Sequence, residues 1–248
     1  MSSIAKYHYR GRGLVHTRPY ADSAAPLRPL CDSSDLKIGV KSKTDVLQDY
    51  DSPAGGVVGI SSLIEDVTID LVLHDLNYAN LCLAYQGTSS SVTAGTVTDE
   101  VVTVHKGSLS CLAHAGATSV VVKNSDGETT YAAGTDYAVS GAGISILDAS
   151  SLTDGASVKV SYSYGAQMIV EALISGAIQQ SLVFDGINSM MDGKARVVRL
   201  WKAQFEAAKE VGLKSDKASS IQLTGRLLRD DTKTGGAVSQ YFQETIVP

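Results

Sequence analysis

The clearest hydrophobic pattern in the chain lies at residues 67–87. Four apolar residues alternate there with polar ones, and only Val72 interrupts the alternation: Val67, Ile69, Leu71 and Leu73. This period of two predicts a strand with one buried face. From Leu76 onward the apolar spacing becomes helical, with Asp75 or Asn77 available as the N-cap and Gly87 as the terminator. A strand followed by a helix over residues 75–86 is therefore predicted.

The segments on the N-terminal side of this pattern differ in character. Residues 1–30 hold three of the five prolines and show no strand or helix period, so we expect an extended N-terminal arm. Leu36, Ile38 and Val40 alternate with polar residues and predict a first strand. Residues 44–59 are rich in Asp, Gly, Ser and Pro and predict a long loop. A loop of this length is unusual inside a compact domain unless it contacts a partner or is disordered.

A change of composition follows residue 91. Short segments rich in Val, Thr and Tyr fill residues 92–164, separated by turn signals such as NSDG at 124–127. This spacing is typical of a small all-β module of the immunoglobulin-like kind. We interpret 92–164 as an insertion into a domain made of residues 31–91 and 165–248, and we expect it on the outer surface of the assembly.

The C-terminal part completes that domain. The predicted elements are paired strands at 167–174 and 178–184, a loop at 185–193, a strand at 194–205, at most two helical turns at 205–213, and strands at 219–229 and 238–247. In the strand at 194–205 the residues predicted to point inward are Ala195, Val197, Trp201, Ala203 and Phe205. The sum is a mainly β fold, an antiparallel sandwich or barrel with one flanking α-helix.

Charge adds information about partners. The net charge of −5 argues against a dedicated nucleic-acid binder. The sign varies along the chain, because residues 1–30 carry five basic groups against one acid, whereas residues 31–91 carry nine acids against three lysines. Alternation of this kind suits subunits that meet through complementary patches.

The sequence offers no catalytic constellation. Five histidines are scattered through the chain and no GxSxG motif places a nucleophile, so we expect neither an enzyme nor a cofactor. Asn124 begins a segment that faintly resembles a calcium loop, but Thr135 stands where the bidentate Glu belongs, so a plain hairpin turn and no metal site are expected. The three cysteines, Cys31, Cys82 and Cys111, give no disulfide or zinc pattern and are interpreted as small buried hydrophobes. Neither a secretory signal nor a membrane segment is predicted.

Four segments resemble, in order, the major tail tube proteins of tailed bacteriophages, particularly long-tailed siphophages. They are LKIGVKSKTDVLQDYDSPAGG, VTIDLVLHDLNYANLCLAYQG, LVFDGINSMMDGKARVVRLWKAQFEAAKEVGL and SSIQLTGRLLRD. The resemblance implies a β-sandwich with a flanking helix, the tail-tube fold, whose subunits form hexameric rings stacked into a hollow tube for genome passage. It also implies a location in the virion tail after assembly in the host bacterial cytoplasm. The implied partners are the tape measure protein, the tail terminator, baseplate or distal tail proteins, and double-stranded DNA in transient, non-specific passage.

The same resemblance assigns roles to individual residues. The loop that reaches the neighbouring ring contains Tyr50, Asp51, Pro53, Gly55 and Gly56, and the arm that orders on assembly contains Arg10, Arg12 and Arg18. Leu76 and Tyr78 belong to the helix at the subunit boundary. An acidic bore would repel DNA phosphates and let the duplex move, and the candidate acids for that bore are Asp45, Asp49, Glu65, Asp66 and Asp70.

Two other interpretations stay open at this stage. The first is an inner tube protein of a contractile tail or of a secretion system, which shares the fold; a bulky outward insertion at 92–164 would obstruct a close-fitting sheath, so a non-contractile tail is favoured. The second is a β-sandwich adhesion or carbohydrate-binding module, a class that usually displays exposed aromatic residues. The insertion offers only Tyr131, Tyr137, Tyr162 and Tyr164, of which at least half are expected in its core.

Overall fold

The computed structural model describes residues 8–51 and 53–247, and most of them lie in antiparallel β-strands. One short helix accompanies seventeen strands in this part of the chain. The predicted fold class, mainly β with one helix, is therefore confirmed.

The strands in chain order are β1 (Gly11–Pro19), β2 (Arg28–Pro29), β3 (Ser33–Gln48), β4 (Val57–Leu73), β5 (Thr88–Val92), β6 (Gly95–Thr103), β7 (Leu109–Cys111), β8 (Thr118–Asn124), β9 (Thr130–Tyr131), β10 (Tyr137–Ser140), β11 (Gly143–Ile146), β12 (Ser157–Tyr164), β13 (Gln167–Glu171), β14 (Gln179–Asn188), β15 (Lys194–Phe205), β16 (Ile221–Leu227) and β17 (Phe242–Ile246). Helix α1 (Tyr78–Ala84) lies between β4 and β5.

Contacts between residues divide the chain into two units. Unit 1 comprises Met1–Ser89 and Val170–Pro248, and unit 2 comprises Ser90–Ile169. Each unit has its own cluster of buried apolar side chains. The tail-tube and immunoglobulin-like assignments of the two parts stay predictions.

Unit 1 is built on one antiparallel sheet with the strand order β2-β1-β14-β15-β16-β4-β3, in which β17 also pairs with β15. The predicted alternation in β4 is confirmed, because Val67, Ile69, Leu71 and Leu73 are all buried. Their partners in the core come mainly from the neighbouring strands and include Leu182, Leu200, Phe205, Ile221 and Leu223. The periodic half of β4 thus anchors the strand in the unit.

Strand β15 has the predicted bounds but not the predicted phase. Ala203 and Phe205 are buried as expected, whereas Ala195 is exposed and Val197 and Trp201 are only partly covered. The reason is a bulge, since Gln180 pairs with Ala203 while Leu182 pairs with Leu200. The additional residue in β15 moves Leu200 into the core.

Helix α1 is shorter than the predicted span 75–86. Asn77 is its N-cap, and its side-chain oxygen accepts a hydrogen bond from the Asn80 backbone N–H at 2.9 Å. Asn80 itself is buried and donates to the backbone oxygens of Leu30 and Asp75. Its side-chain oxygen accepts from Arg28 at 2.8 Å, so the helix is tied to the segment that precedes β3.

Two predictions for the N-terminal and C-terminal segments were wrong. The arm at 1–30 contains β1, which pairs with β14 along its whole length and buries Val15 and Thr17; residues 1–7 lie outside the described residues. The two helical turns at 205–213 are absent. The backbone N–H of Glu206 donates instead to Thr224 and that of Ala208 to Ala84, each at 2.8 Å, which leaves these donors unavailable for a helix.

The predicted hairpin between 167–174 and 178–184 is also wrong. Strand β13 pairs with β5, while β14 pairs with β1 and β15. Strand β14 continues to Asn188, so the predicted loop at 185–193 starts only after that residue. Local turn signals at Ser175 and Gly176 could not reveal these distant partners.

Unit 2 contains two small antiparallel sheets, with the orders β10-β11-β7 and β6-β12-β8-β9. The predicted hairpin turn at Asn124 is confirmed, because the Gly127 N–H donates to the Asn124 oxygen at 3.0 Å and β8 pairs with β9. Tyr137 and Tyr162 are buried in its core.

The prediction of buried cysteines was wrong. Cys111 is exposed, and Cys31 and Cys82 are only partly buried.

The helix found in the described part of the chain has seven residues, far fewer than a bilayer-spanning helix requires.

Candidate functional site

A two-stranded ribbon in unit 1 is the most unusual surface of the protein. Strands β3 and β4 pair along nearly their entire lengths, but β4 pairs with β16 only through residues 68–73. Residues 40–48 and 57–66 are here called the outer ribbon. Among the described strands they pair only within the β3–β4 hairpin. Both lateral edges of the outer ribbon present unpaired backbone groups, which makes it a template for strand addition.

The outer ribbon corrects the prediction of a long loop at 44–59. Only residues 49–56 form the connection, and the flanking residues belong to β3 and β4. The Asp49 N–H donates to the Gly56 oxygen at 2.7 Å, and the Asp51 N–H donates to the Asp49 carboxylate at 2.9 Å. Gly55 has a φ of 63°, a value that favours glycine. The predicted turn at residues 53–56 is correct, but the predicted loop was too long on both sides.

One face of the outer ribbon is apolar and exposed. It continues the face on which Val67 and Ile69 enter the core, because Val46 pairs with Ile60 and Ser42 with Ile64 in the same alternation. The exposed fractions are 58% for Val40, 48% for Val46, 58% for Val57, 68% for Ile60 and 56% for Ile64. The Thr44–Ser62 pair separates Ile64 from Ile60 on this face. Exposed apolar side chains grouped on one face of a strand pair are nevertheless typical of an interaction site.

The opposite face carries the charged side chains of the outer ribbon, together with the exposed Leu47 and Leu63. Lys41 pairs with Asp66 in the register, and its ammonium lies 3.0 Å from the Glu65 carboxylate. Farther toward the sheet, Lys37 pairs with Asp70, and Arg226 of β16 lies 3.5 Å from Asp66. Four predicted bore acids thus lie on or beside one face of the β3–β4 hairpin: Asp45, Glu65, Asp66 and Asp70. Lys37, Lys41 and Lys43 of β3 share that face, so acid does not dominate it.

The other predicted site residues lie in three separate places. Asp49, Tyr50, Asp51, Pro53, Gly55 and Gly56 form the turn at the end of the outer ribbon, where Tyr50 is 91% exposed. Leu76 packs partly against the core, and Tyr78, at the start of α1, is 51% exposed. Arg12 and Arg18 lie in β1, and Arg10 precedes it. The structure does not bring these arginines to the ribbon turn within one chain.

A groove of about 680 Å³ lies between β1 and the first part of β3. Its floor includes Phe184, Val198 and Phe242, and Arg12 lies on its rim. Arg196, also in its wall, is paired with Glu244, and this hydrogen bond raises the pKa of the arginine. The Tyr9 ring covers the Arg196 guanidinium at 3.6 Å from the ring centroid. These contacts brace the sheet at the groove.

No group of three or more His, Cys, Asp or Glu side chains is placed to share a metal ion within residues 8–51 and 53–247.

Sequence reasoning missed the apolar side chains of the outer ribbon and the lysines beside them. Val57, Val58 and Ile60 are β-branched and favour a strand, and this was the available signal. It was weak because Ser42, Thr44, Ser61 and Ser62 interrupt the apolar positions. Without a core to cover them, these strands show no clean alternation.

Two comparisons with known proteins bear on the role of this surface. A family model described as "Protein of unknown function UCP028589" matches residues 8–245. A tail sheath protein of Burkholderia phage BcepMu is 27% identical over 191 residues, covering 73% of this chain and 35% of the relative. The chain thus spans about a third of the length of this curated relative.

Proposed function

The chain belongs to the family described as "Protein of unknown function UCP028589", and we propose that it is a structural subunit of a bacteriophage tail. The family description assigns no activity, so the proposal rests on the surfaces of the chain and on its similarity to a tail sheath protein. More narrowly, we propose the tail tube subunit: a non-enzymatic protein whose copies form hexameric rings, stacked into a hollow tube through which DNA passes to the host cell.

The observation that carries this proposal is the outer ribbon. Its apolar face is exposed and both of its edges are unpaired, a combination that soluble monomers usually avoid. Full burial of a Val or Ile side chain contributes about 1.5–3 kcal/mol relative to exposure. Burying the five half-exposed side chains of this face against other copies thus contributes several kcal/mol per subunit.

The two faces of the outer ribbon suit the two sides of a tube wall. Copies arranged side by side would pair their ribbons into one continuous sheet, with the apolar face covered by the bodies of the subunits. The charged face would then line the bore. Because the lysines of β3 lie beside the acids of β4, this face would attract phosphates weakly, and a duplex could pass without the counterion release that accompanies tight binding.

The proposed partners follow from this arrangement. Further copies of the chain form the tube, and the tape measure protein, the tail terminator and baseplate or distal tail proteins would contact its interior and ends. The protein would be assembled in the host bacterial cytoplasm and remain in the virion.

A second candidate is a component of a contractile tail. The similarity to a tail sheath protein favours it, although the chain spans only about a third of that protein. The two roles differ in what the isolated protein forms. We expect a tube subunit to form rings around a central channel by itself, and assembly only in the presence of a preformed tube would favour the contractile-tail role.

Electron microscopy of the purified protein at increasing concentration tests the proposal. We expect rings or tubes with a central channel from the unmodified chain and none from V46D/I60D, which places charge on the apolar face. L213D is the matched control, because Leu213 is 90% exposed in unit 1 outside the ribbon. Tubes from V46D/I60D that resemble those of the unmodified chain would rule out the assembly role of the ribbon.

A further inference from the structure

The two strands of the β3–β4 hairpin carry opposite charge. Strand β3 contributes Lys37, Lys41 and Lys43, with Asp35 and Asp45 as its acids. Strand β4 contributes Glu65, Asp66 and Asp70 and contains no Lys or Arg. The basic groups of the ribbon therefore concentrate along its β3 edge and the acids along its β4 edge, where Arg226 of the adjoining β16 lies 3.5 Å from Asp66.

From this separation we infer that a second copy of the chain docks with its β3 edge on the β4 edge of the first, and that charge selects this pairing over β3-to-β3 or β4-to-β4 contact. The inference rests on the proposed function and defines which surfaces of two copies meet. The occupant of each edge is another copy because every copy offers both halves of the match.

The register within one chain shows the geometry available between two chains. Strands β3 and β4 are antiparallel, and Lys41 stands opposite Asp66. When two ribbons point in the same direction, β4 of one copy is again antiparallel to β3 of the next. Rotation about an axis parallel to the ribbons, without axial shift, then brings Lys41 of one copy to the height of Asp66 of the other.

The alternative pairings bring like charges together. Two β3 edges related by a twofold axis would place Lys41 and Lys43 against the same lysines of the other copy. Two β4 edges would oppose Glu65 and Asp66 to themselves, and residues 68–73 of β4 are already paired with β16. Like charges directly opposite one another disfavour strand pairing and suppress wrong partners.

The pairs involved are exposed, and their contribution is mainly to selection. Lys41 and Glu65 are bridged within one chain although their side chains are 70% and 48% exposed. Exposed pairs contribute little to affinity and are weakened by salt. The apolar face supplies adhesion, and the charges determine that each contact joins unlike edges. Contacts of that heterologous kind close into rings or continue as filaments, whereas contacts between like edges stop at a dimer.

Charge reversal tests this selection. In K41E/K43E both edges become acidic, and in E65K/D66K both become basic. We expect each variant alone to need at least tenfold more protein than the unmodified chain to assemble, while an equimolar mixture assembles with the two variants in a 1:1 ratio. K209E/K214E is the charge-matched control, since both lysines are exposed in the segment between β15 and β16. Circular dichroism and thermal unfolding show whether each variant is folded.

The inference is overturned if either variant alone assembles as readily as the unmodified chain. It is also overturned if both variants are folded and their mixture assembles no better than each variant alone. If the unmodified protein forms no rings or tubes, the proposed tail tube role fails. Sedimentation still tests whether charge selects unlike edges. We expect complexes in the mixture of the two charge-reversed variants and none in either variant alone. Equal association in the mixture and in the two separate variants would refute the inference.

Discussion

Val46 and Ile60 are direct cross-strand partners in the outer ribbon, yet their side chains remain 48% and 68% exposed. Toward the sheet, the same two strands pair Ile38 with Ile69, and Ile69 is completely buried. The β3–β4 hairpin therefore packs into the core near the sheet, whereas its apolar side chains near the turn are exposed. A chain that served only as a monomer would gain nothing from extending the apolar face beyond its own core.

This contrast predicts that two isoleucines of β4 respond differently to truncation. Ile69→Ala removes buried methylene groups and is expected to lower the free energy of unfolding by about 2–5 kcal/mol. Ile60→Ala changes an exposed position and is expected to alter it by no more than about 0.5 kcal/mol, while assembly weakens. Urea unfolding at low protein concentration measures the first effect, and electron microscopy at high concentration the second. A large loss of monomer stability from Ile60→Ala would contradict an unpartnered ribbon face.

The features recovered from sequence are those encoded by neighbouring residues. The burial of Val67 to Leu73 follows from their alternation, and Asn77 was identified as a possible cap because its side chain acts on a backbone group three residues away. The hairpin turn at Asn124 has the same local origin. In each case the residues whose interaction determines the structure are only a few positions apart in the sequence.

The features missed depend on distant partners. The phase of β15 is set by a bulge opposite Gln180 and Leu182, and the absence of a helix after Phe205 is set by acceptors on Thr224 and Ala84. Residues 44–48 and 57–59 of the outer ribbon were predicted as part of a loop, because the polar turn dominates a segment without a buried face. For the candidate site, sequence identified the acids but not their apolar counterparts, since the latter acquire meaning only once they are seen to be exposed.

Gly225 is predicted to be intolerant of a side chain. It lies in β16 beside β15, where an added Cβ would come within 2.4 Å of the Gln204 backbone oxygen and 2.9 Å of the Phe205 Cα. Gly225→Ala forces these backbones apart, and we expect a loss of about 1–3 kcal/mol in the free energy of unfolding. Gly236→Ala is the control, because its Cβ meets no atom within 4 Å. Equal stability of the two variants in urea unfolding would show that the strands yield without cost.

Asp230 is predicted to stabilise unit 1 through donors converging on one carboxylate oxygen. That oxygen accepts from the Tyr20 hydroxyl at 2.9 Å and from the N–H and hydroxyl of Thr232 at 3.0 and 2.7 Å. Burial raises the pKa of Asp230, but the hydrogen bonds from Thr232 and Tyr20 outweigh it and lower the pKa overall. Asp230→Ala leaves these donors without their acceptor, and we expect a loss of about 1–3 kcal/mol.

Asp231 supplies the control for this prediction. It pairs with Arg229 at 2.7 Å, but both side chains are largely exposed, at 78% and 63%. Asp231→Ala is expected to change the free energy of unfolding by at most about 1 kcal/mol. Thermal unfolding monitored by the fluorescence of Trp201, which lies in the same unit, compares the two variants. A larger loss in the free energy of unfolding from Asp231→Ala than from Asp230→Ala would contradict the stabilising role of Asp230.

Asp136 is predicted to make the stability of unit 2 sensitive to acid. Its carboxylate accepts from the backbone N–H of Ala132 at 2.9 Å and from the N–H and hydroxyl of Ser151, each at 2.8 Å; Ser150 donates a further hydrogen bond. These donors lower the pKa of Asp136 from 3.8 to about 2. A carboxyl group whose pKa is lower in the folded chain stabilises that chain fully above the ordinary pKa, and this contribution is lost as the pH falls from about 4 to 2.

Replacing the carboxyl group tests the origin of this acid sensitivity. Asp136→Asn is expected to lower the melting temperature of unit 2 at pH 7 and to flatten its decline between about pH 4 and 2, because the titrating group is gone. Asp126→Asn, in an exposed hairpin turn, should preserve both the melting temperature and the decline. Calorimetric unfolding of the full chain at a series of pH values separates these outcomes. If Asp136→Asn loses stability with acid as steeply as the unmodified chain, another carboxylate must hold unit 2 together at neutral pH.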